Sequence, residues 1–141
     1  VILPDLPLLE YTETYRNVFE RNGLLNIFLI TPQTSEARIR QIDAISSGFI
    51  YMVSSASVTG AKSGIGEEQE AYFRRIQAMQ LRNPTLIGFG ISNRSSFEKA
   101  CSYANGAIIG SAFIKMLEQS TDLATGITDF VHGIKGVPIS A

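Results

Sequence analysis

Apolar residues along this chain fall into two kinds of segment that alternate from one end to the other. Short runs of consecutive apolar residues are typical of strands whose two faces are both covered. Between them lie longer stretches in which apolar residues recur every three or four positions, the spacing of one helix face. The short runs predict five strands, at residues 1–3, 26–30, 49–53, 86–90 and 107–110.

The stretches between these runs predict six helices. They are residues 8–22, a segment that begins near residue 36, residues 67–82, a segment from residue 93 or 95 to 104, a segment that begins at residue 111, and residues 122–135. Thr34 or Ser35 can cap the second helix, and Asn93 or Ser95 can cap the fourth, so both starts stay open. Gly23 follows the first helix at the place of a left-handed cap. The helix that begins at residue 67 should turn four apolar side chains inward: Tyr72, Phe73, Ile76 and Met79.

Strict alternation of strands and helices indicates right-handed βαβ units and one parallel sheet. A complete eight-stranded barrel needs about 200 residues or more, so the 141 residues of this chain cannot close one. A doubly wound sheet of five strands also fits the length and is the alternative. Such a sheet usually carries its phosphate loop after the first strand, whereas the glycine turns here follow the last two. We therefore expect residues 1–141 to form about the last five units of one (β/α)8 barrel domain.

A partial barrel would leave two strand edges and part of its inner face uncovered. The chain begins with Val1 in a strand-like run, which suggests that further chain precedes it. We expect such edges to drive association, either of two copies or with a missing amino-terminal segment. A third possibility is that the 141 residues are the ordered part of a longer chain.

Composition excludes several functional classes. The net charge of −1 gives no electrostatic attraction to nucleic acid or to an anionic membrane. No apolar run approaches the ~20 residues of a membrane span, and the amino terminus lacks a signal-peptide pattern. A single cysteine cannot form an internal disulfide, which fits a cytoplasmic location.

Two glycines carry the candidate chemistry. Gly90 and Gly110 each end a predicted strand and lead through a serine into a helix. Backbone N–H groups at such a turn, next to the positive end of a helix dipole, form a site suited to phosphate. Barrels commonly build their phosphate site after the last two strands. The alternative is that both glycines only close tight turns.

Other reactive residues do not form a convincing site. Cys101 falls on the helical face of Phe97 and is expected in the core, without a basic neighbour to activate it. His132 is expected on the surface of the last helix. The serines of the small, glycine-rich segment 54–66 lack a nucleophile elbow, and the length of that segment favours a lid over a ligand. No metal site is predicted.

Several short motifs, in this order and spacing, resemble the tryptophan synthase alpha subunit family over essentially the whole chain. They are Pro4-Asp5-Leu6-Pro7, Thr31-Pro32, Ser57-Val58-Thr59-Gly60, Gly88-Phe89-Gly90-Ile91-Ser92 and Gly110-Ser111-Ala112. The resemblance implies a (β/α)8 barrel that cleaves indole-3-glycerol phosphate to indole and glyceraldehyde 3-phosphate. It also implies a cytoplasmic heterotetramer with a PLP-dependent beta subunit, and no cofactor in this chain.

The resemblance assigns roles to particular positions. It implies a phosphate cradle of Gly60, Gly90, Gly110 and Ser111. It implies that Leu29 and Phe89 line the indole pocket, that Tyr51 supports catalysis at the end of its strand, that Thr59 organises the catalytic aspartate, and that Asp5 lies near the subunit interface. Ser57 departs from the glycine that the family usually has there.

The family's catalytic glutamate and aspartate belong to strands and loops upstream of Val1. We therefore expect this segment to hold phosphate but to have negligible lyase activity by itself. Two alternatives remain. One is another phosphate-binding barrel enzyme of tryptophan or histidine synthesis, and the other is a non-catalytic, truncated phosphate-binding module.

Overall fold

The structure is a computed structural model that describes residues 1–4, 6–54, 66–88 and 90–136. Within these ranges one parallel sheet has four strands: β1 (Phe28–Ile30), β2 (Ile50–Val53), β3 (Thr85–Gly88) and β4 (Gly106–Ile108). Their order across the sheet is the order along the chain. An arc of a barrel has this order, whereas a doubly wound sheet reverses direction at a switch point. The topology therefore favours the partial barrel.

Helices fill the connections as the spacing predicts. The first helical stretch consists of α1 (Leu8–Glu10), a π-helical segment (Tyr11–Tyr15) and α2 (Arg16–Arg21). The others are α3 (Glu36–Ile45), α4 (Glu67–Ala78), α5 (Arg94–Cys101), α6 (Ser111–Gln119) and α7 (Leu123–Lys135).

Side-chain caps define where three of these helices begin. Ser35 caps α3 by accepting the N–H of Arg38, and Asn93 caps α5 by accepting the N–H of Ser96. These caps decide the two starts that the sequence leaves open. Asp122 caps α7 in the same way. Gly23 has a φ of 64°, the left-handed conformation expected after the first helix.

The core lies between the sheet and the helices. The rings of Phe28 in β1 and Tyr11 pack edge to face, with 5.1 Å between their centroids. The same buried layer continues through four strand residues: Ile30, Ile50, Met52 and Ile87. The four apolar residues predicted to face inward from α4 are all buried: Tyr72, Phe73, Ile76 and Met79. Since successive strand residues point to opposite faces, the other residues of each strand form an inner face away from the helices.

Three predictions about burial are wrong. Residues 1–3 form a single parallel bridge, between Ile2 and Ile27, instead of a strand, and they are 41–49% exposed. They lie at the sheet edge with a neighbour on one side, so pairing and burial are both incomplete. Cys101 is exposed because it ends the short helix α5, which buries Ala100 instead. His132 is half-buried rather than on the surface, and its buried Nδ1 has no hydrogen-bond partner among the described residues.

A buried carboxylate fastens the end of the sheet where the strands begin. Asp43, near the end of α3, accepts the N–H groups of Arg82 and Asn83, each at 2.9 Å, and the Asn83 amide at 2.8 Å. Burial would raise the pKa of Asp43, but these hydrogen bonds outweigh burial and lower the pKa. The Arg82 guanidinium in turn donates to three carbonyl groups at the end of α3.

Candidate functional site

The carboxyl ends of β2, β3 and β4 are level with one another. Val53 pairs in register with Gly88, and Gly88 pairs with Ile108. Gly90 and Gly110 each lie two residues beyond such a paired position, on neighbouring strands. We call this edge of the sheet, with Ser54, Gly90 and Gly110, the rim. The two glycine turns therefore share one edge, as the sequence predicts.

The two rim glycines differ in what they do. Gly90 has a φ of +78°, a backbone conformation that residues with a β-carbon rarely adopt. The backbone conformation at this position therefore favours a glycine. Gly110 has a φ of −104° and is the residue before α6, and it offers no side chain to cap that helix. A β-carbon at Gly110 would meet no atom of the described residues within 4 Å. The first N–H groups of α6, at the positive end of its dipole, thus begin beside a position that no described residue fills.

Below the rim, Leu29 and Tyr51 lie side by side on the inner face. Leu29 pairs in register with Tyr51, and Tyr51 pairs with Leu86, so all three side chains lie on one face of the sheet. Tyr51 is the second residue of the four in β2, below the end of the strand where the sequence places it. Among the described strand residues, the inner face is therefore apolar with one phenol group.

Gly88 makes room for that phenol, a role that the sequence analysis missed. A β-carbon on Gly88 would overlap the hydroxyl end of Tyr51. Burial raises the pKa of Tyr51, so its phenol stays neutral near neutral pH. A neutral phenol can donate or accept a hydrogen bond but does not serve as a carboxylate-like base. The sequence signal for this role was Gly88 itself, the first glycine of the motif Gly88-Phe89-Gly90.

Comparison with known proteins decides the family. The sequence model described as tryptophan synthase alpha chain matches residues 1–133. The chain belongs to this family. A tryptophan synthase alpha chain from Flavobacterium johnsoniae is 61% identical over 120 residues, which cover 85% of this chain and 47% of that relative. One from Bacteroides thetaiotaomicron is 51% identical over 135 residues, covering 96% of this chain and 53% of the relative.

Solved structures give the same answer for the fold. The tryptophan synthase alpha subunit from Pyrococcus furiosus superposes with a TM-score of 0.76 at 29% identity, covering 96% of this chain and 54% of that one. A variant of that subunit gives a TM-score of 0.78. The chain thus spans about half the length of the relatives it matches. The partial (β/α)8 barrel and the family resemblance are both confirmed, with four strands and a bridge in place of five strands.

The site residues expected for a tryptophan synthase alpha chain divide into three groups. Gly90, Gly110 and Ser111 lie at the rim, and Ser111 is the first residue of α6. Leu29 and Tyr51 lie on the inner face. Asp5, Thr59, Gly60 and Phe89 lie outside the described residues. The roles assigned to all of them stay predictions.

Two surface cavities lie at the opposite end of the sheet. One of about 290 Å³ is lined by Thr85 and Asn105, at the starts of β3 and β4. The other, of about 460 Å³, is lined by residues that include Arg16, Ser46 and Arg82. In barrels this end serves stability rather than chemistry, so neither cavity competes with the rim. In the part of the chain that the structure describes, no helix could cross a membrane and no three His, Cys, Asp or Glu residues cluster as metal ligands.

Side chains of α4 donate hydrogen bonds at the ends of two strands, and no local sequence pattern predicts these contacts. The buried hydroxyl of Tyr72 donates to the carbonyl of Ile30, the last residue of β1. Arg75 donates to the carbonyls of Pro32 and Thr34 in the loop that follows. Helical spacing predicts which face of α4 is buried, but it cannot show which distant carbonyl a polar group reaches. The amide of Gln69 plays a similar part at the end of β2, where it donates to Ser54.

Proposed function

We propose that this chain supplies the phosphate-binding half of a tryptophan synthase alpha subunit that cleaves indole-3-glycerol phosphate to indole and glyceraldehyde 3-phosphate. The observation that carries the proposal is the alignment of Gly90 and Gly110 at one edge, with the start of α6 beside them. A phosphate monoester carries nearly two negative charges at neutral pH, and backbone N–H groups at a helix start match it. Ser111 would complete the cradle together with Gly60, as the family resemblance implies.

The inner face suits the other end of this substrate. Leu29 offers apolar contact, and Tyr51 offers an aromatic ring with a polar tip next to it. Phe89 and Thr59 would add to this pocket, as the family resemblance implies. The indole ring would thus lie below the rim while the phosphate binds at it.

The chemical step needs carboxyl groups on the inner face, whereas the acidic residues that the structure describes all lie in helices or at the cap of α7. Cleavage requires a proton delivered to C3 of the indole ring and a proton removed from the glycerol hydroxyl, so that the C–C bond breaks. Positioned carboxyl groups perform such transfers. Asp43 lies at the opposite end of the sheet, and Glu70 is engaged with Lys99 and Tyr103. We infer that the catalytic glutamate and aspartate come from the other half of a barrel, upstream of Val1.

The assembled enzyme would work with a partner. A PLP-dependent beta subunit would receive the indole, in a cytoplasmic heterotetramer, and this chain itself would use no cofactor. The family membership supports this part of the proposal, since the relatives are alpha chains by name.

Complementation tests the proposed function. The 141-residue chain is assayed for indole release from indole-3-glycerol phosphate, alone and mixed with the amino-terminal half of the Flavobacterium johnsoniae relative. We expect no turnover by either half and measurable turnover by the mixture. Calorimetry should show that the mixture binds indole-3-propanol phosphate. Turnover by the chain alone would contradict the assignment of the carboxylates, and a mixture that neither binds nor turns over would contradict the function. Binding without turnover would favour a non-catalytic phosphate-binding module.

A further inference from the structure

The side chain of Gln69 joins the two ends of the connection between β2 and α4. Its Nε2 donates to the carbonyl of Ser54 at 2.9 Å, directly after β2. Its Oε1 accepts the N–H of Gly66 at 2.8 Å, directly before α4. One amide therefore fixes the chain on both sides of residues 55–65.

Ser54 connects Gln69 to the rim through its own hydrogen bonds. It is 2% exposed, and its N–H donates to the carbonyl of Gly88 at 3.1 Å. Its Oγ lies 3.9 Å from the position that a β-carbon on Gly90 would occupy. Ser54 thus bonds to Gln69 on one side and to Gly88 on the other, next to Gly90.

We propose that Gln69 is a positioning residue for the phosphate site, acting through Ser54 on the Gly90 turn. The inference rests on the proposed function, because it assumes that the rim binds phosphate. Gln69 is the third residue of α4, where a Glu or Gln side chain commonly bonds back to the residue before the helix. That helix-capping role uses only the oxygen of the amide. The bond to Ser54 uses the nitrogen, which a glutamate lacks, so the two roles can be separated.

Gln69→Glu makes that separation. It keeps the acceptor for Gly66 and loses the donor to Ser54, whereas Gln69→Ala loses both. The variants are made in a barrel completed with the amino-terminal half of the Flavobacterium johnsoniae relative. Affinities for inorganic phosphate and for glycerol 3-phosphate are measured by calorimetry at constant ionic strength, together with Tm. We expect Gln69→Glu to stay folded with a Tm below that of the parent, because a carboxylate oxygen then faces the Ser54 carbonyl. We also expect it to bind both ligands about three- to tenfold more weakly, the effect of one hydrogen bond.

Two variants control for charge and for the loss of an amide. Ala71→Glu adds the same charge to an exposed position of α4. Gln77→Glu removes an equivalent amide donor that reaches Ser102 elsewhere on the fold. We expect both to bind phosphate like the parent.

Each other outcome overturns something specific. If Gln69→Glu binds like the parent, Gln69 is only a helix cap and this inference is wrong. If Ala71→Glu weakens binding as much as Gln69→Glu, the effect is charge repulsion and the inference is equally wrong. If the parent itself does not bind either ligand, the proposed function fails, and this inference fails with it.

Discussion

Gly88 shows how one missing side chain shapes the inner face. The phenol of Tyr51 occupies the space that a β-carbon at position 88 would need. Tyr51 is 9% exposed and lies between Leu29 and Leu86, so its ring has little room to move aside. A glycine at position 88 is therefore a requirement of packing, since its φ is not among the positive values of this chain.

Gly88→Ala should destabilise the fold by about 1–3 kcal/mol, because overpacking forces the ring or the strand to shift. Urea unfolding followed by circular dichroism measures the loss. Gly133→Ala is the matched control, since a β-carbon there meets no described atom within 4 Å and the residue is an exposed position of α7. The control should be neutral or stabilising by up to about 1 kcal/mol, through helix propensity. Equal stability of Gly88→Ala and the parent would show that Tyr51 does not occupy this space.

At the scale of elements, polar contacts fasten the two ends of the sheet. Tyr72 of α4 donates to the last residue of β1 and Arg75 to the loop that follows, while Gln69 donates to Ser54 at the end of β2. At the opposite end, Asp43 of α3 holds the turn that leads into β3. These contacts join segments that are far apart in sequence, 40 residues in the case of Asp43 and Asn83.

Such pairs explain what the sequence could predict and what it could not. Local patterns located the described helices and the four strands of the sheet, because burial on one or two faces leaves a recognisable signal. They also placed Gly90 and Gly110 at strand ends, since a glycine before a helix is a local feature. Partners such as Ser54 for Gln69 depend on how the elements pack, which no local pattern encodes. The same reason explains the errors at residues 1–3 and Cys101, whose burial depends on neighbours across the fold.

Asp43 gives the turn between α4 and β3 a pH-dependent stability. Its pKa is lowered below the usual 3.8, so its stabilisation is complete above that value and is lost as pH falls through the lower, folded pKa. Asp43→Asn places an amide against the N–H donors of Arg82 and Asn83 and should cost about 2–3 kcal/mol near neutral pH. Below about pH 4 the difference from the parent should narrow.

Urea unfolding across this pH range measures the difference. Asp129→Asn removes an exposed carboxylate of α7 and should follow the parent throughout. A gap between Asp43→Asn and the parent that stays constant as pH falls would contradict the assigned role of the Asp43 carboxylate.

At the scale of the whole molecule, the sheet has two open edges among the described residues. The edge of β1 carries only the bridge between Ile2 and Ile27, and β4 has a strand neighbour on one side. Exposed apolar side chains lie near both edges. Those near β1 are Val1, Ile2, Leu3, Leu24 and Leu25, and those on α6 and α7 are Ile114, Leu123, Ile127 and Val131. Unpaired strand edges with apolar surroundings favour association with another chain.

We predict that the 141-residue chain self-associates and that the amino-terminal half of a relative competes with this self-association. The relatives are about twice as long as this chain. Their other half would supply strands that pair with both open edges of the arc at once. A second copy of this chain would supply only its own two edges, which are not shaped to pair with each other. Sedimentation equilibrium should show dimers or larger species for the chain alone and a 1:1 complex for the mixture.

Ile2→Lys should weaken both associations, because it places a charge at the β1 edge. Leu9→Lys, at a helix position that is 68% exposed, should leave both unchanged. A chain that stays monomeric at every concentration, and ignores the other half, would show that the open edges are already satisfied within the arc.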